Sequence, residues 1–220
     1  MKTIAAFSPK QARWLQLGLW ACAGLFLAGQ AGTGHAAMDT LMSDHGHHAM
    51  ASQGDRYVRT QANYRLPSVT MLDTNGTRVS LPKALDDGRP VMLNFIFTSC
   101  GAICPVMSAT FAKVQAALGP EASQLHMVSI SIDPEYDTPA IMKAYAEKYG
   151  AGPQWQMLTG SLDSSIKVQR AFGVYRGNKM NHVPLTLLRN QPGQPWVRLE
   201  GFASANDLVS EYRSFMASNP

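Results

Sequence analysis

The chain has 220 residues and a formal net charge of +4, but three of its 19 basic residues, Lys2, Lys10 and Arg13, and none of its 15 acidic ones fall in the first 37 positions. The remainder is therefore close to neutral, at +1, which excludes a charge-driven role on nucleic acid or on an anionic membrane surface. Three cysteines, Cys22, Cys100 and Cys104, are too few for a disulfide scaffold.

Residues 1–37 read as a signal peptide or a membrane anchor. A positive start is followed by an apolar run from Trp14 to Ala28 and by small residues up to Ala36 and Ala37, where cleavage is expected. Leu19-Trp20-Ala21-Cys22 faintly resembles a lipoprotein box. Cys22 leaves with the leader or stays in the membrane, so Cys100 and Cys104 are the cysteines of the mature part. Residues 38–62 are polar and without periodicity, and read as a flexible linker. They carry Met38, Met42, His45, His47, His48 and Met50, whose imidazoles and thioethers are copper-binding groups.

A single domain is expected over 63–220. Tyr64 to Leu72 and Thr77 to Leu81 flank Asp73-Thr74-Asn75-Gly76, a hairpin signal. Pro90 to Phe97 is a nearly continuous apolar run, as in a strand buried on both faces. Val106, Thr110, Val114 and Leu118 then recur at helical spacing up to Gly119-Pro120. Leu125 to Ile132 is a second buried strand. A helix capped by Thr138, with Ile141, Ala144, Tyr145 and Tyr149 as its apolar face, runs to Gly150. A short strand at Gln154–Leu158 and a helix from Leu162 to Phe172 follow. Val183–Leu188 and Trp196–Glu200 are closing strands, and Ser204 caps a last helix. The alternation implies an α/β fold with a central mixed sheet flanked by helices and preceded by a hairpin.

Cys100-Gly-Ala-Ile-Cys104-Pro105 lies where a strand passes into a helix. The first helical turn offers unpaired N–H groups and the positive end of the dipole, both of which favour a thiolate. Pro105 suits that turn because it has no N–H to satisfy. The i, i+4 spacing brings both sulfurs to one side, where they can form a disulfide or pinch a soft metal ion. Structural zinc usually takes four protein ligands, which the chain cannot supply from two cysteines, whereas Cu(I) accepts two thiolates and one imidazole. Outside the linker the candidates for that imidazole are His126, inside a strand, and His182, in a loop just before one. Loops at strand ends are where sites are built, which favours His182.

Taken together, the motifs resemble those of the Sco/SenC proteins. Phe97-Thr98-Ser99-Cys100-Gly101-Ala102-Ile103-Cys104-Pro105 is similar to that family's Phe-Thr-x-Cys-x-x-x-Cys-Pro. Ser131-Ile132-Asp133-Pro134-Glu135-Tyr136-Asp137-Thr138-Pro139 is similar to its Ser-x-Asp-Pro-x-x-Asp-Thr-Pro, and Leu158-Thr159-Gly160 to its Leu-Thr-Gly. His182 falls where the family keeps a metal-binding histidine. The resemblance implies a thioredoxin-like fold and copper, as Cu(I) or Cu(II), on Cys100, Cys104 and His182. It also implies an exported protein, periplasmic and either soluble or tethered to the inner membrane. The expected partner is the copper-centre subunit of a respiratory oxidase or a similar exported cuproprotein. Two departures stand out. Gly-Ala-Ile replaces the Pro-Asp-Val often found between the cysteines, which removes a carboxylate. Pro184 occupies the place where thioredoxins put the proline that faces their cysteines, which adds weight to redox work.

The alternative to copper delivery is a thiol–disulfide oxidoreductase in which Cys100 attacks and Cys104 resolves, keeping a partner's copper-site cysteines reduced. A thiol peroxidase is a third reading, from the likeness of Asn94–Gly101 to glutathione peroxidases. Met107, Met180 and Asp133 are lesser candidates near the site, and Trp155 and Trp196 read as core or sheet-edge residues.

Overall fold

The computed structural model describes residues 57–217, and the chain enters it on a strand. This strand, β1 (Tyr57–Ala62), forms one edge of a six-stranded sheet and pairs antiparallel with β8 (Trp196–Gly201), Tyr57 opposite Gly201. Sequence reading placed 57–62 in the linker. The correction has a physical cause: the four central side chains are exposed, so backbone pairing rather than burial holds the strand, and no hydrophobic alternation betrays it. The expected signal or anchor and the His/Met-containing residues 38–56 lie outside the described residues.

β2 (Thr70–Leu72) and β3 (Arg78–Ser80) form the expected hairpin. Asp73 Oδ1 accepts from the N–H groups of Asn75 (2.8 Å) and Thr77 (2.9 Å), and Gly76 takes the left-handed φ of 78° that the turn requires. A five-residue helix, α1 (Leu81–Leu85), follows; it is too short to show a period in sequence.

β4 (Val91–Ile96), α2 (Ile103–Leu118), β5 (His126–Ser131), α3 (Pro139–Lys148) and β6 (Trp155–Leu158) then make two crossovers, with β4, β5 and β6 parallel. After α4 (Leu162–Ala171), β7 (Leu185–Arg189) runs antiparallel to both β4 and β8, and α5 (Ala205–Ala217) packs on α2. The strand order is β1-β8-β7-β4-β5-β6, the expected thioredoxin-like α/β arrangement. Thr138, Ser161 and Ser204 cap their helices through side-chain oxygens that accept the N–H groups of Ile141, Ser164 and Asp207. In α3 the buried residues are Met142 and Tyr145, while Ala144 is exposed, so its apolar face is turned from the one read in sequence.

Every residue of β4 is buried because strands flank it on both sides and helices cover the sheet. Each large aliphatic side chain enclosed there contributes about 1.5–3 kcal/mol over leaving it in water. Trp155 and Trp196 are both core residues. Parallel β4 and β5 end at the same edge of the sheet, and antiparallel β7 begins there. That geometry gathers residues 97–104, 132–138 and 178–184 at one end. No helix among the described residues is long and apolar enough to cross a membrane.

Candidate metal centre

Beyond β4 the chain turns sharply, and the Cys100 N–H donates to the Phe97 carbonyl at 3.1 Å. α2 starts at Ile103 after Ala102, which has no side chain with which to cap it. The helix's unpaired donors are met instead by the Cys100 sulfur, which accepts from the backbone N–H groups of Cys104, Ala102 and Ile103. Partial burial opposes a thiolate here, but those donors and the Cys104 thiol outweigh it and hold the Cys100 pKa below the ordinary thiol range. Cys100 is half-buried and reachable.

Cys104, one turn on, has no exposed surface. Burial pushes its thiol well above the usual range, and the charges of Cys100 and Asp137 add to this. The Phe97 N–H, 3.4 Å from Sγ, works the other way. Both cysteines are free thiols, hydrogen-bonded to one another.

His182 reaches the same point from the loop before β7. Its Nε2 stands 3.5 Å from Cys104 Sγ, and its ring packs edge-on against Phe97, with centroids 5.3 Å apart and planes at 72°. Only 8% of the residue is exposed. Burial lowers its pKa, opposed by a ring hydrogen bond to the Lys179 backbone, so the imidazole is held neutral, the form that ligates metals. The donor spacing fits a shared ion: a sulfur and an imidazole nitrogen at ordinary metal–ligand lengths stand about 3.5 Å apart. Among the described residues no three Cys, His, Asp or Glu side chains already converge as a closed metal site. Cys104 stands beside each of the other two.

Two carboxylates that sequence reading used only as motif letters or as a lesser candidate lie next to this group. Asp137 is fully buried and accepts from Thr98 Oγ1 (2.5 Å) and Ser131 Oγ (2.6 Å). Burial raises its pKa, against the pull of those hydroxyls. It ties the turn after β4 to the end of β5. Asp133 forms an ion pair with Lys179. The signal for both was the Ser-x-Asp-Pro-x-x-Asp spacing; nothing in the sequence singled out Lys179. Together Asp133, Lys179 and His182 line a cleft of about 550 Å³.

The remaining candidates are elsewhere. His126 opens β5, opposite Val91, at the far end of the sheet. Met107 is buried on α2, and Met180 is 68% exposed on the turn before His182. Pro184 fixes the start of β7 through its carbonyl, which accepts the Gly201 N–H at 2.9 Å.

Comparison with known proteins gives one consistent result. The sequence model of the family described as SCO1/SenC matches residues 59–217. The chain is 33% identical over 115 residues to the SCO1 protein homolog of Bacillus subtilis (strain 168), a match covering 52% of this chain and 58% of that protein. It spans little more than half the length of such relatives. The fold is similar to BsSco, described as having a disulfide switch and as a member of the Sco family of cytochrome c oxidase assembly proteins. That likeness has a TM-score of 0.60 and 27% identity, and covers 72% of this chain and 96% of that one. It is also similar to Bradyrhizobium japonicum ScoI with copper bound, at TM-score 0.55 and 27% identity, over 66% of this chain and 96% of that one.

Proposed function

The chain belongs to the SCO1/SenC family, and from that premise we propose that it carries copper on Cys100, Cys104 and His182 for assembly of the copper centre of a respiratory oxidase. The observation that carries this reading is the placement of the His182 imidazole 3.5 Å from the buried Cys104 sulfur, beside a second free thiol. Cargo and site agree in chemistry, since two thiolates and a neutral imidazole are soft, low-coordinate ligands suited to Cu(I). Loading displaces thiol protons, chiefly from Cys104, and gathers the three donors around the ion. The cargo then leaves by ligand exchange: a sulfur of the recipient displaces one protein ligand at a time, and copper keeps its oxidation state. The half-buried Cys100 is the ligand an incoming sulfur meets first, while Cys104 is enclosed. The place of work is outside the cytoplasm, with the N-terminal residues serving as export signal or tether, and the recipient is a copper-centre subunit or a similar exported cuproprotein.

Anaerobic titration of the reduced protein with Cu(I) tests the assignment. Wild type should take one ion per chain, and His182→Ala should hold it far more weakly with an unchanged fold. Equal affinity in the two proteins overturns the ligand set.

A second reading is favoured by the asymmetry of the cysteines. A reachable thiol of lowered pKa ahead of an enclosed one of raised pKa is the arrangement of a dithiol reductant. The Cys100 thiolate attacks a partner disulfide, one partner thiolate leaves, and a mixed disulfide forms. Cys104 then gives up its proton and attacks Cys100 Sγ, releasing the second thiolate. The partner gains two electrons and the chain keeps a Cys100–Cys104 disulfide. Failure of the reduced protein to reduce any copper-site disulfide removes this reading without touching the first.

A further inference from the structure

The stretch that carries His182 is held by an interaction that the copper chemistry does not use. Between α4 and β7, a single 3₁₀ turn (Lys179–Asn181) is capped by Asn178, whose Oδ1 accepts the Met180 N–H at 2.9 Å. The His182 N–H donates to the Lys179 carbonyl at 3.2 Å, and the His182 ring also bonds to the Lys179 backbone. These bonds close the turn that joins Lys179 to His182. The Lys179 side chain passes over Phe97, with Nζ 5.5 Å from the ring centroid, to pair with Asp133. Asp133 is well anchored beyond the end of β5: its N–H donates to Ser131 Oγ at 3.0 Å, and its carbonyl accepts the N–H groups of Tyr136 and Asp137. Among the described residues this is the only ion pair made between α4 and β7. Phe97 is the common surface. Its ring meets Lys179 and His182, its N–H meets Cys104, and its carbonyl meets Cys100.

We propose that the Lys179–Asp133 ion pair is a latch on the His182 loop: closed, it presses the imidazole toward Cys104, and open, it lets the loop lift and the site give up its cargo. The consequence for cargo rests on the copper reading; the latch itself does not. Lys179 and Asp133 are positioning residues, acting through Phe97 and the Lys179 backbone. The side chains are 39% and 11% exposed, so solvent screens the pair partially. A pair of this kind shifts an equilibrium by a modest factor, about 2- to 5-fold, which suits a contact that must open repeatedly.

The test uses Lys179→Met, which keeps the alkyl stem over Phe97 and removes the charge, together with Asp133→Asn, the double variant and Lys179→Arg. In the metal-free protein the His182 amide donates to the Lys179 carbonyl, so its exchange reports opening of the turn that the latch holds closed. It should quicken about 2- to 5-fold in Lys179→Met. It should return toward wild type in Lys179→Arg and be no faster in the double variant than in either single one. Raising the salt should quicken exchange in wild type and leave Lys179→Met unchanged, a response that a purely structural lysine does not give. In the Cu(I)-loaded protein, release to excess soluble chelator should quicken by the same factor. Unchanged amide exchange in Lys179→Met, or additive effects in the double variant, overturns the latch. Failure of wild type to bind Cu(I), or equal binding by His182→Ala, overturns the copper reading instead, and the amide exchange still decides the latch.

Discussion

The two ends of the sheet make the same gesture with different chemistry. At one, His182 is 8% exposed and stands 3.5 Å from Cys104; at the other, His126 is 5% exposed and its Nδ1 stands 3.3 Å from Asp87 Oδ2. Burial lowers the pKa of both imidazoles. Both line clefts, and the one beside His126 is the larger at about 910 Å³. Burial, pKa and cavity size therefore fail to tell them apart. The neighbours do. Asp87 is already engaged by Arg89, which donates through Nε at 3.0 Å and Nη2 at 2.5 Å, so a cation there meets a guanidinium. His182 faces the Cys104 sulfur, which is bonded to a thiol and a backbone N–H but to no cation. A buried histidine becomes a candidate ligand when its neighbour is a soft donor that no cation already holds.

The largest effect expected from this contrast comes from Cys104→Ser, which keeps the shape and removes the central sulfur. Cu(I) affinity should fall roughly 100-fold or more, equivalent to about 3 kcal/mol. Asp87→Asn at the other end should change it by no more than about 2-fold, since sites this far apart behave independently. Competition against a Cu(I) chelator measures both, and a large loss in Asp87→Asn breaks the comparison. Next is the difference within the site. In metal-free protein, iodoacetamide should modify Cys100 at least about 10-fold faster than Cys104, because Cys100 is reachable and of lowered pKa while Cys104 is enclosed and of raised pKa. Peptide mapping against time reads the ratio. A smaller but sharper effect is the pH dependence of loading. Cys104 is a protonated thiol at neutral pH, so binding displaces its proton, and Cu(I) affinity should rise at least about tenfold per pH unit between pH 6 and 8. A flat profile removes Cys104 from the ligand set.

How far each end was legible in the sequence follows from how each is built. β4 and β5 were readable because strands buried on both faces must be apolar throughout, and the helix caps because Thr138, Ser161 and Ser204 leave a local signature. β1 was not, because an exposed edge strand is specified by its partner, 142 residues away in β8 at the Val58–Glu200 level, rather than by its own pattern. Cys100, Cys104 and Pro105 announced themselves by spacing at a strand-to-helix junction, and His182 by elimination and by resemblance. Lys179 announced nothing: its importance lies in reaching Asp133 across Phe97, a relation among three separate segments. The unpaired Nδ1 of His126 beside Asp87 was equally invisible, since it depends on where Arg89 sends its guanidinium.

The finest separation of the two ends is thermodynamic. A histidine whose folded pKa lies below its unfolded value, ordinarily about 6.5, contributes stability that is present above that value and lost as pH falls below it. His126 and His182 both have this sign, so the metal-free protein should lose thermal stability between pH 7 and 5. Asp137 has the opposite sign for an acid: its raised pKa means that it takes up a proton more readily when folded, which offsets part of the loss. That offset is common to every variant and cancels from their differences. His126→Gln and His182→Gln should each flatten the acid limb, and the double variant should flatten it by the sum of the two, because the residues lie at opposite ends of the sheet. Copper loading then divides them. A ring that ligates metal cannot also take a proton, so loading should change the His182→Gln difference and leave the His126→Gln difference as it was. Calorimetric scans of the metal-free and loaded proteins at pH 7, 6 and 5 decide the matter. If both differences move together on loading, the ends are coupled through the sheet, and the division between a liganding histidine and a structural one fails.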